Sequence, residues 1–235
     1  MASKRYTQAA ALVDRKKATP LEEAVTALQQ LPPVKFDETV ELSVSLTIDP
    51  KKTDQVVRGT VTLPHGTGKT RRVAVFCKGE QEILAKAAGA DAVGGADLIE
   101  KVQGGWLDFD VAVASPDMMR DVSRLGKILG PRGMMPNPKA GTVTDDVARA
   151  IKEVKQGKVE FKMDKLANIH FVIGKRSFQP RQLVENAEVA LEAIVRARPS
   201  AAKGRMIKRV TLSSTMSPGI PLETARLEAE PAQEV

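Results

Sequence analysis

The chain is short of cysteine and of long apolar runs. It has one cysteine, Cys77, among 235 residues, which excludes an internal disulfide, a redox CxxC pair and a zinc knuckle. No stretch approaches the roughly 18 apolar residues that a membrane-spanning helix needs. The charged start, MASKRYTQ, lacks the apolar core of a secretory signal. We therefore expect a soluble protein of a reducing compartment that has no membrane partner.

Aromatic and catalytic residue types are also scarce. Aromatics make up 3 % of the chain, and because proteins that bind single strands stack bases on surface aromatics, a nucleic-acid partner should be folded. The two histidines are His65 and His170, and no serine lies in a nucleophile-elbow motif. Asp145 and Asp146 fit helix-cap charges better than an acid–base pair. The sequence therefore predicts no catalytic residues, no metal site and no cofactor.

The charge balance is basic. Thirty-six basic and 29 acidic side chains give a net charge of +7, which is typical of a protein with a polyanionic partner. A mildly basic solvated surface is an equal alternative. Residues 67–158 carry a net +3 and residues 222–235 a net −3, so segments 1–66 and 159–221 together carry +7. A polyanion is therefore expected to bind those two segments.

The N-terminal part predicts a helix followed by a strand. Thr19 is the expected N-cap, Pro20 occupies the first helical position, and Glu22 completes a capping box. In the strand at 40–48, aliphatic residues at even positions alternate with polar ones. Its polar face carries small side chains that allow a ligand to approach closely, although a solvated sheet face is the alternative.

From about residue 67 the pattern changes. Apolar runs at 72–77 and 109–114 predict strands that are buried on both faces, and helical patterns separate them. Strands that alternate with helices indicate βαβ units and a mainly parallel sheet. Alternation of period two returns at 159–163 and 169–173. The order favours an α/β domain inserted into an α+β domain over two domains in tandem.

Two loops invite functional interpretations. The segment 65–70, HGTGKT, is similar to a phosphate-binding loop, but Leu63 stands where the first Walker glycine is needed. A hinge between domains is the favoured interpretation. The Gly/Pro-rich loop at 130–142 either presents Arg132 and Lys139 to a ligand or is a rigid connection.

Two further patches suit RNA. Residues 35–39 lead into the strand with the small polar face, and residues 213–217 surround a methionine with hydroxyls. Hydroxyls and backbone groups suit contacts with the 2′-OH and phosphate groups of folded RNA. Basic residues near the N-terminus are expected to add contacts that release counterions, namely Lys4, Arg5, Arg15, Lys16 and Lys17.

Seven segments resemble one family, the bacterial form of large-subunit ribosomal protein one. They occur in the family's order through almost the whole chain: KFDETVE (35–41), DPKKTDQVVRGTVTLPHGTGK (49–69), GADAVGG (89–95), FDVAVASPDMM (109–119), LGKILGPRGMMPNPKAGTVT (125–144), NIHFVIGKRSF (168–178) and STMSPG (214–219). The resemblance implies a split α+β host domain, residues 1–66 and 159–221, with an inserted Rossmann-like α/β domain at 67–158. Residues 222–235 are expected to form a disordered acidic tail.

The resemblance also implies a function without catalysis. Proteins of this kind are structural constituents of the large ribosomal subunit in the cytoplasm. Their host domain binds the mobile stalk of 23S rRNA, which moves with deacylated tRNA as the tRNA leaves the exit site. Many also bind their own operon mRNA and repress its translation. The RNA-contact residues carried over by motif are Lys35, Phe36, Thr39, Ser43, Ser45, His170, Lys175, Ser213, Thr215, Met216 and Ser217.

Two positions depart from the family pattern. The family has Thr-Met-Gly-Pro where this chain has Ser217, and glycine there would permit close backbone approach or a positive φ. The segment 165–168 lacks the family's turn glycine. Two other functions stay open: a nucleotide-dependent enzyme that uses Lys69, and a non-specific RNA chaperone.

Overall fold

The computed structural model describes residues 3–50, 52, 55–199, 202 and 204–224. The chain forms two compact units. The first unit contains the described residues up to Gly68 and from Val159 onward, and the second contains Lys69–Lys158. No helix in these ranges is long and apolar enough to cross a membrane.

The first unit contains three helices and six strands, except that the sixth strand in the chain begins at Lys158, the last residue of the second unit. The helices are α1 (Lys4–Ala11), α2 (Leu21–Gln30) and α8 (Pro180–Arg196). The strands are β1 (Thr39–Leu46), β2 (Arg58–Thr62), β6 (Lys158–Lys162), β7 (Asn168–Lys175), β8 (Ile207–Ser214) and β9 (Ile220–Leu222). Strands β2 and β6 pair with each other, and the remaining four form an antiparallel sheet in the order β7-β1-β8-β9.

One face of the four-stranded sheet is buried. Val40, Leu42 and Val44 of β1 are fully buried in a core that includes Leu28 of α2 and Leu183 of α8. We call the opposite face the outer face. The polar residues of β1 lie on it, half-buried, because successive side chains of a strand point to opposite sides. The alternation at 40–48 therefore predicted the strand and its buried face, although β1 ends at Leu46, two residues before the predicted end.

The second unit has a three-stranded parallel sheet. Its elements are β3 (Val73–Phe76), α3 (Glu80–Ala87), β4 (Ala92–Gly94), α4 (Ala96–Gln103), β5 (Val111–Ala114), α5 (Met119–Val122), α6 (Gly126–Leu129) and α7 (Val147–Lys155). The strand order is β4-β3-β5. Residues of β3 enter two separate clusters, one with α4–α6 and one with α3 and α7. Helices cover both faces, and the structure confirms the predicted fold class.

The start of α2 differs from the expectation. Helix α2 begins at Leu21 with Pro20 at the N-cap and no side-chain cap, so the predicted capping role of Thr19 is wrong. The backbone N–H of Thr19 instead donates to the carbonyl oxygen of Pro221 (3.0 Å), and that of Glu223 donates to the carbonyl of Thr19 (3.1 Å). Pairing with the end of β9 outweighs the local cap. The expectation for the tail falls largely on residues 225–235, outside the described part.

The loop at 130–142 is bonded to itself and to the sheet. The hydroxyl of Thr142 donates to the carbonyl oxygen of Asn137 (3.1 Å) and accepts from its backbone N–H (2.8 Å). Thr142 also extends the sheet, since its carbonyl accepts from the N–H of Ala114 (2.9 Å). Arg132 is exposed, and the side chain of Lys139 lies outside the described part. These bonds fit a rigid connection, and a ligand role for the loop stays a prediction.

Candidate nucleic-acid interface

Two motifs 176 positions apart meet at one end of the four-stranded sheet. The backbone N–H of Thr39 donates to Oγ1 of Thr215 (3.0 Å), and the backbone N–H of Thr215 donates to the carbonyl oxygen of Thr39 (3.0 Å). These bonds join the start of β1 to the end of β8. We call residues 35–38 and 215–219 the edge loops, because they lie side by side at this end.

A buried ion pair holds the edge loops in place. The Glu38 side chain is 1 % exposed; its Oε2 accepts from Nη1 of Arg176 (2.7 Å), and its Oε1 accepts from the backbone N–H of Met216 (3.0 Å). The Arg176 guanidinium also donates to the carbonyl oxygens of Gln29 (3.1 Å) and Leu31. Both carboxylate oxygens of Glu38 and both terminal nitrogens of the Arg176 guanidinium are thus engaged, as burial of charge requires.

The edge loops present apolar side chains to solvent beside basic ones. Phe36 is 53 % and Met216 48 % exposed, and Lys35 is exposed. Nη2 of Arg5 donates to the carbonyl oxygen of Met216 (2.7 Å), which places a guanidinium at the tip of the second loop. Large exposed apolar side chains at a fixed position are typical of contact surfaces.

Lys175 and Thr39 are partly engaged within the protein. Nζ of Lys175 donates to Oγ1 of Thr39 (3.0 Å) and to the carbonyl oxygen of Asp37 (3.2 Å). These bonds leave Lys175 positioned rather than freely mobile. Its charge therefore lies at a defined place behind the first edge loop.

Ser217 fits its turn without strain. Glycine is not required, because Ser217 does not have a positive φ; Ala167 is the one non-glycine residue with such a φ among those described. The backbone N–H of Ser214 donates to Oγ of Ser217 (2.8 Å), and this Oγ donates to the carbonyl oxygen of Pro218 (3.0 Å). The serine hydroxyl therefore closes the turn.

The remaining predicted residues lie on the outer face. Ser43 is opposite His170 in β7 and Thr211 in β8, and Oγ of Ser43 lies 3.2 Å from Nδ1 of His170. Ser45 follows two residues along β1, and Ser213 faces Glu41 on β8. All eleven predicted residues therefore fall on this face or on its edge.

The sequence analysis missed two basic residues on the same face. Lys208 and Arg209 are consecutive, yet both are exposed. Ser45 pairs with Arg209 and Leu46 with Ile207, so Lys208 is the extra residue of a β-bulge. Strict alternation would turn one of the two inward. The sequence did contain a signal for the bulge: two adjacent cationic residues in an otherwise apolar strand cannot both face solvent if the strand is regular.

The turn between β6 and β7 is built around Asp164. Its Oδ1 accepts from the backbone N–H groups of Asn168 (2.7 Å) and Leu166 (2.8 Å). These bonds, led by the one from Asn168, hold the pKa of the Asp164 carboxyl below its usual value. Ala167 takes φ 61° in this turn, a left-handed conformation that glycine adopts more readily than alanine.

The segment 65–70 has contacts of its own. Oδ1 of the buried Asn186 accepts from the backbone N–H of His65 (3.1 Å), and Nδ2 of Asn186 donates to the carbonyl of Gly66 (3.1 Å). Strand β3, rather than a helix, follows this segment, so the phosphate-loop geometry is missing. Within the described ranges, no group of three His, Cys, Asp or Glu side chains is placed to hold a metal ion.

Sequence comparisons relate the chain to known proteins. A profile of the ribosomal protein L1p/L10e family matches residues 26–218. "Large ribosomal subunit protein uL1" of Kosmotoga olearia is 58 % identical over 221 residues, which is 94 % of this chain and 96 % of the relative. Its counterpart in Saccharopolyspora erythraea is 55 % identical over 233 residues, 98 % of each chain. The counterpart in Nocardia farcinica is 57 % identical over 224 residues, 95 % of this chain and 94 % of the relative. The chain belongs to the ribosomal protein L1p/L10e family, as its motifs predicted.

Proposed function

We propose that this chain, a structural constituent of the large ribosomal subunit, binds the mobile stalk of 23S rRNA through the edge loops and the outer face. Its relatives over nearly their full length are named as proteins of that subunit, which in bacteria is cytoplasmic. The observation that carries the proposal is the junction of Thr39 and Thr215. It brings two distant RNA-type motifs into one preformed surface.

The chemistry of this surface suits folded RNA. Phe36 and Met216 offer exposed apolar area for an unstacked base, while Lys35, Lys175 and Arg5 place positive charge around them. The hydroxyls of the outer face match the 2′-OH groups that distinguish RNA from DNA. Because the loops are held by a buried ion pair, little ordering entropy is lost on binding.

Thr215 is proposed to hold the two edge loops together as well as to contact RNA. Its hydroxyl accepts from the N–H of Thr39 (3.0 Å) and lies 3.4 Å from the carbonyl oxygen of Thr39. Thr215→Ala therefore frees a strand N–H at the centre of the surface. We expect it to cost about 1–3 kcal/mol of binding free energy. A loss below roughly 0.3 kcal/mol, far under the usual range for such bonds, would remove Thr215 from the site.

The test is equilibrium binding of the purified protein to the stalk rRNA fragment and to an unrelated hairpin over a salt series. Specific complexes typically exceed non-specific ones by about 10³-fold or more, a figure taken from protein–DNA work. Phe36→Ala should cost about 1–3 kcal/mol if its ring stacks on a base, and Met216→Ala should weaken binding through the loss of apolar contact. Ile83→Ala, at a 71 % exposed position in the second unit, is the matched control. Equal affinity for both RNAs would reject the proposal.

Repression of the chain's own operon mRNA requires the same surface. The resemblance implies that the mRNA site imitates the rRNA site, so the two RNAs must compete. We expect Met216→Ala to weaken both complexes by the same factor, and an excess of stalk fragment to relieve repression in a cell-free translation assay. Simultaneous binding of both RNAs would contradict a shared surface.

Release of deacylated tRNA from the exit site is the third part of the proposal. It rests on the family resemblance, through the movement of the stalk to which the protein is bound. Ribosomes that lack this chain should release exit-site tRNA more slowly than ribosomes to which it has been added back. Unchanged release would limit the function to structure and repression.

Neither alternative is supported. The prediction that the chain is not an enzyme is confirmed, because the chain belongs to a family of ribosomal proteins. Lys69 also stands in a segment without phosphate-loop geometry. A non-specific RNA chaperone would bind the hairpin and the stalk fragment with equal affinity. The same titration therefore tests this alternative, and a preference for the stalk fragment would reject it.

A further inference from the structure

A second groove opens beside the outer face. One wall is formed by Tyr6 of α1 with Arg15 and Lys16 from the segment after it, and the other by Lys208 and Arg209 at the bulge of β8. No family motif in this sequence pointed to these side chains as a group. The groove therefore needs an explanation of its own.

The floor of the groove is closely packed. Thr211 of β8 pairs with Pro221 of β9, and Gly219 lies against Thr211. A Cβ atom at Gly219 would come within 2.7 Å of Cγ2 of Thr211, so only glycine permits this approach. The floor is thus a defined surface rather than a gap between loosely packed segments.

The walls carry four positive charges without carboxylate partners. Arg15, Lys16, Lys208 and Arg209 form no ion pair with any described carboxylate. The Arg15 guanidinium lies over the Tyr6 ring, 5.8 Å from its centroid, and donates to its hydroxyl (2.6 Å). Unpaired like charges around one groove repel each other, and a polyanion removes that repulsion.

The groove continues the outer face. Lys208, Arg209 and Thr211 also line the depression that contains Ser43, Ser45 and His170. A chain of phosphates that crosses the depression at Ser43 and Ser45 therefore meets the bulge cations and can continue along the groove to Arg15 and Lys16. Both depressions are open and carry hydroxyl and cationic side chains, whereas sites for small molecules enclose their ligand in mainly apolar walls.

We propose that this groove binds the sugar–phosphate backbone of the RNA that occupies the edge loops, with Arg15, Lys16, Lys208 and Arg209 on phosphates and Thr211 on a ribose hydroxyl. The proposal rests on the proposed function, since it extends the same contact surface toward the N-terminus. It predicts contacts that strengthen binding without selecting a sequence, because phosphates carry no base identity.

The test measures the salt dependence of binding for Arg15→Gln, Arg209→Gln and the double variant in the full chain. Removal of one cation from a phosphate should reduce the slope of log affinity against log salt by about 0.7–0.9. Affinity at low salt should also fall with each such removal, because one counterion fewer is released on binding. Arg181→Gln is the matched control, because Arg181 is exposed on α8, the helix packed on the buried face.

The outcomes separate this inference from the proposed function. If the wild-type chain prefers the stalk fragment and both groove variants keep the slope of Arg181→Gln, the groove does not bind RNA and only this inference fails. If the wild-type chain has no such preference, the proposed function fails. The slopes measured on the hairpin then decide the groove: a reduced slope supports a backbone site, and an unchanged one overturns it.

Discussion

At the scale of single residues, Glu38 joins the parts of the candidate site. It accepts from Arg176 with one carboxylate oxygen and from the Met216 backbone with the other. A buried charge of this kind costs desolvation energy that only complete pairing offsets. The carboxylate therefore fixes how β1, β7 and the second edge loop meet. Substitutions of Glu38 should consequently alter the position of the edge loops.

Glu38→Gln should destabilise the first unit. The glutamine amide keeps the shape of the side chain but has one acceptor oxygen in place of two. Either Arg176 or the backbone N–H of Met216 would therefore lose its buried acceptor. Removing one member of a buried ion pair typically costs about 3–5 kcal/mol of unfolding free energy, which urea denaturation measures. Glu41→Gln, at a half-buried carboxylate on the outer face, should change stability far less. Equal effects of the two substitutions would contradict a holding role for Glu38.

Ala167 is a residue in a conformation that suits glycine. The left-handed region costs a residue with a Cβ about 1–2 kcal/mol, and Ala167 has φ 61°. Ala167→Gly removes this strain but adds about 0.5–1 kcal/mol of chain entropy to be lost on folding. We expect a net gain of about 0.5–1 kcal/mol, seen as a higher Tm.

Ala27→Gly is the control for that substitution. Ala27 lies inside α2, where glycine costs about 1 kcal/mol, so the two changes should shift Tm in opposite directions. A fall in Tm for both would mean that the Ala167 methyl, 5 % exposed, contributes more through packing than its backbone costs in strain.

At the scale of elements, local patterns predicted most of the structure. The alternation at 40–48 corresponds to β1, which buries one face, and the apolar run at 72–77 corresponds to β3, which is buried on both faces. The local sequence pattern failed where the structure depends on hydrogen bonds between distant segments. Strand β9 has three residues, too few for periodicity, and Thr19 serves its neighbour Pro221 rather than its own helix. Helix α1 and strand β2 were not predicted, because neither has a wide buried face.

The cap of α7 offers a test at this scale. The sequence predicted that Asp145 and Asp146 are helix-cap charges, and in the structure Oδ1 of Asp146 accepts from the backbone N–H of Arg149 (3.0 Å). Asp146→Ala should cost about 1 kcal/mol of stability, the usual value of such a cap. Asp145→Ala removes an exposed carboxylate one residue away and should be close to neutral. Thermal unfolding of both variants would disprove the assignment if Asp145→Ala were the more harmful.

At the scale of the whole molecule, the sequence named the residues of the candidate site but not the groups that support them. The motif resemblance named residues on both edge loops, and the fold brings them together. Glu38 and Arg176 were not selected, because a buried ion pair between distant segments leaves no periodic signal. The bulge at Lys208 was also invisible, since it depends on how Ser45 and Leu46 pair. Resemblance to a family therefore did not predict the buried ion pair or the bulge that support the candidate site.

The two units have separate cores, and this makes their contributions separable. Leu42 is fully buried beneath the outer face, in the core of the first unit, and Leu125 is fully buried in the second. Truncation of a buried leucine to alanine costs about 2–5 kcal/mol through lost burial and a residual cavity. Because no residue belongs to both cores, each substitution should weaken its own unit only.

Leu125→Ala should therefore leave RNA binding intact while it weakens the second unit. Hydrogen exchange should speed up in β3, β5 and α4 for Leu125→Ala and in β1, β7 and β8 for Leu42→Ala, because local opening follows local stability. On heating, the Leu42→Ala protein should lose its stalk-RNA affinity at a lower temperature than wild type, and the Leu125→Ala protein at an unchanged one. If Leu125→Ala lowered that temperature as much as Leu42→Ala, the RNA site would depend on both units, and its assignment to the edge loops and outer face alone would be wrong.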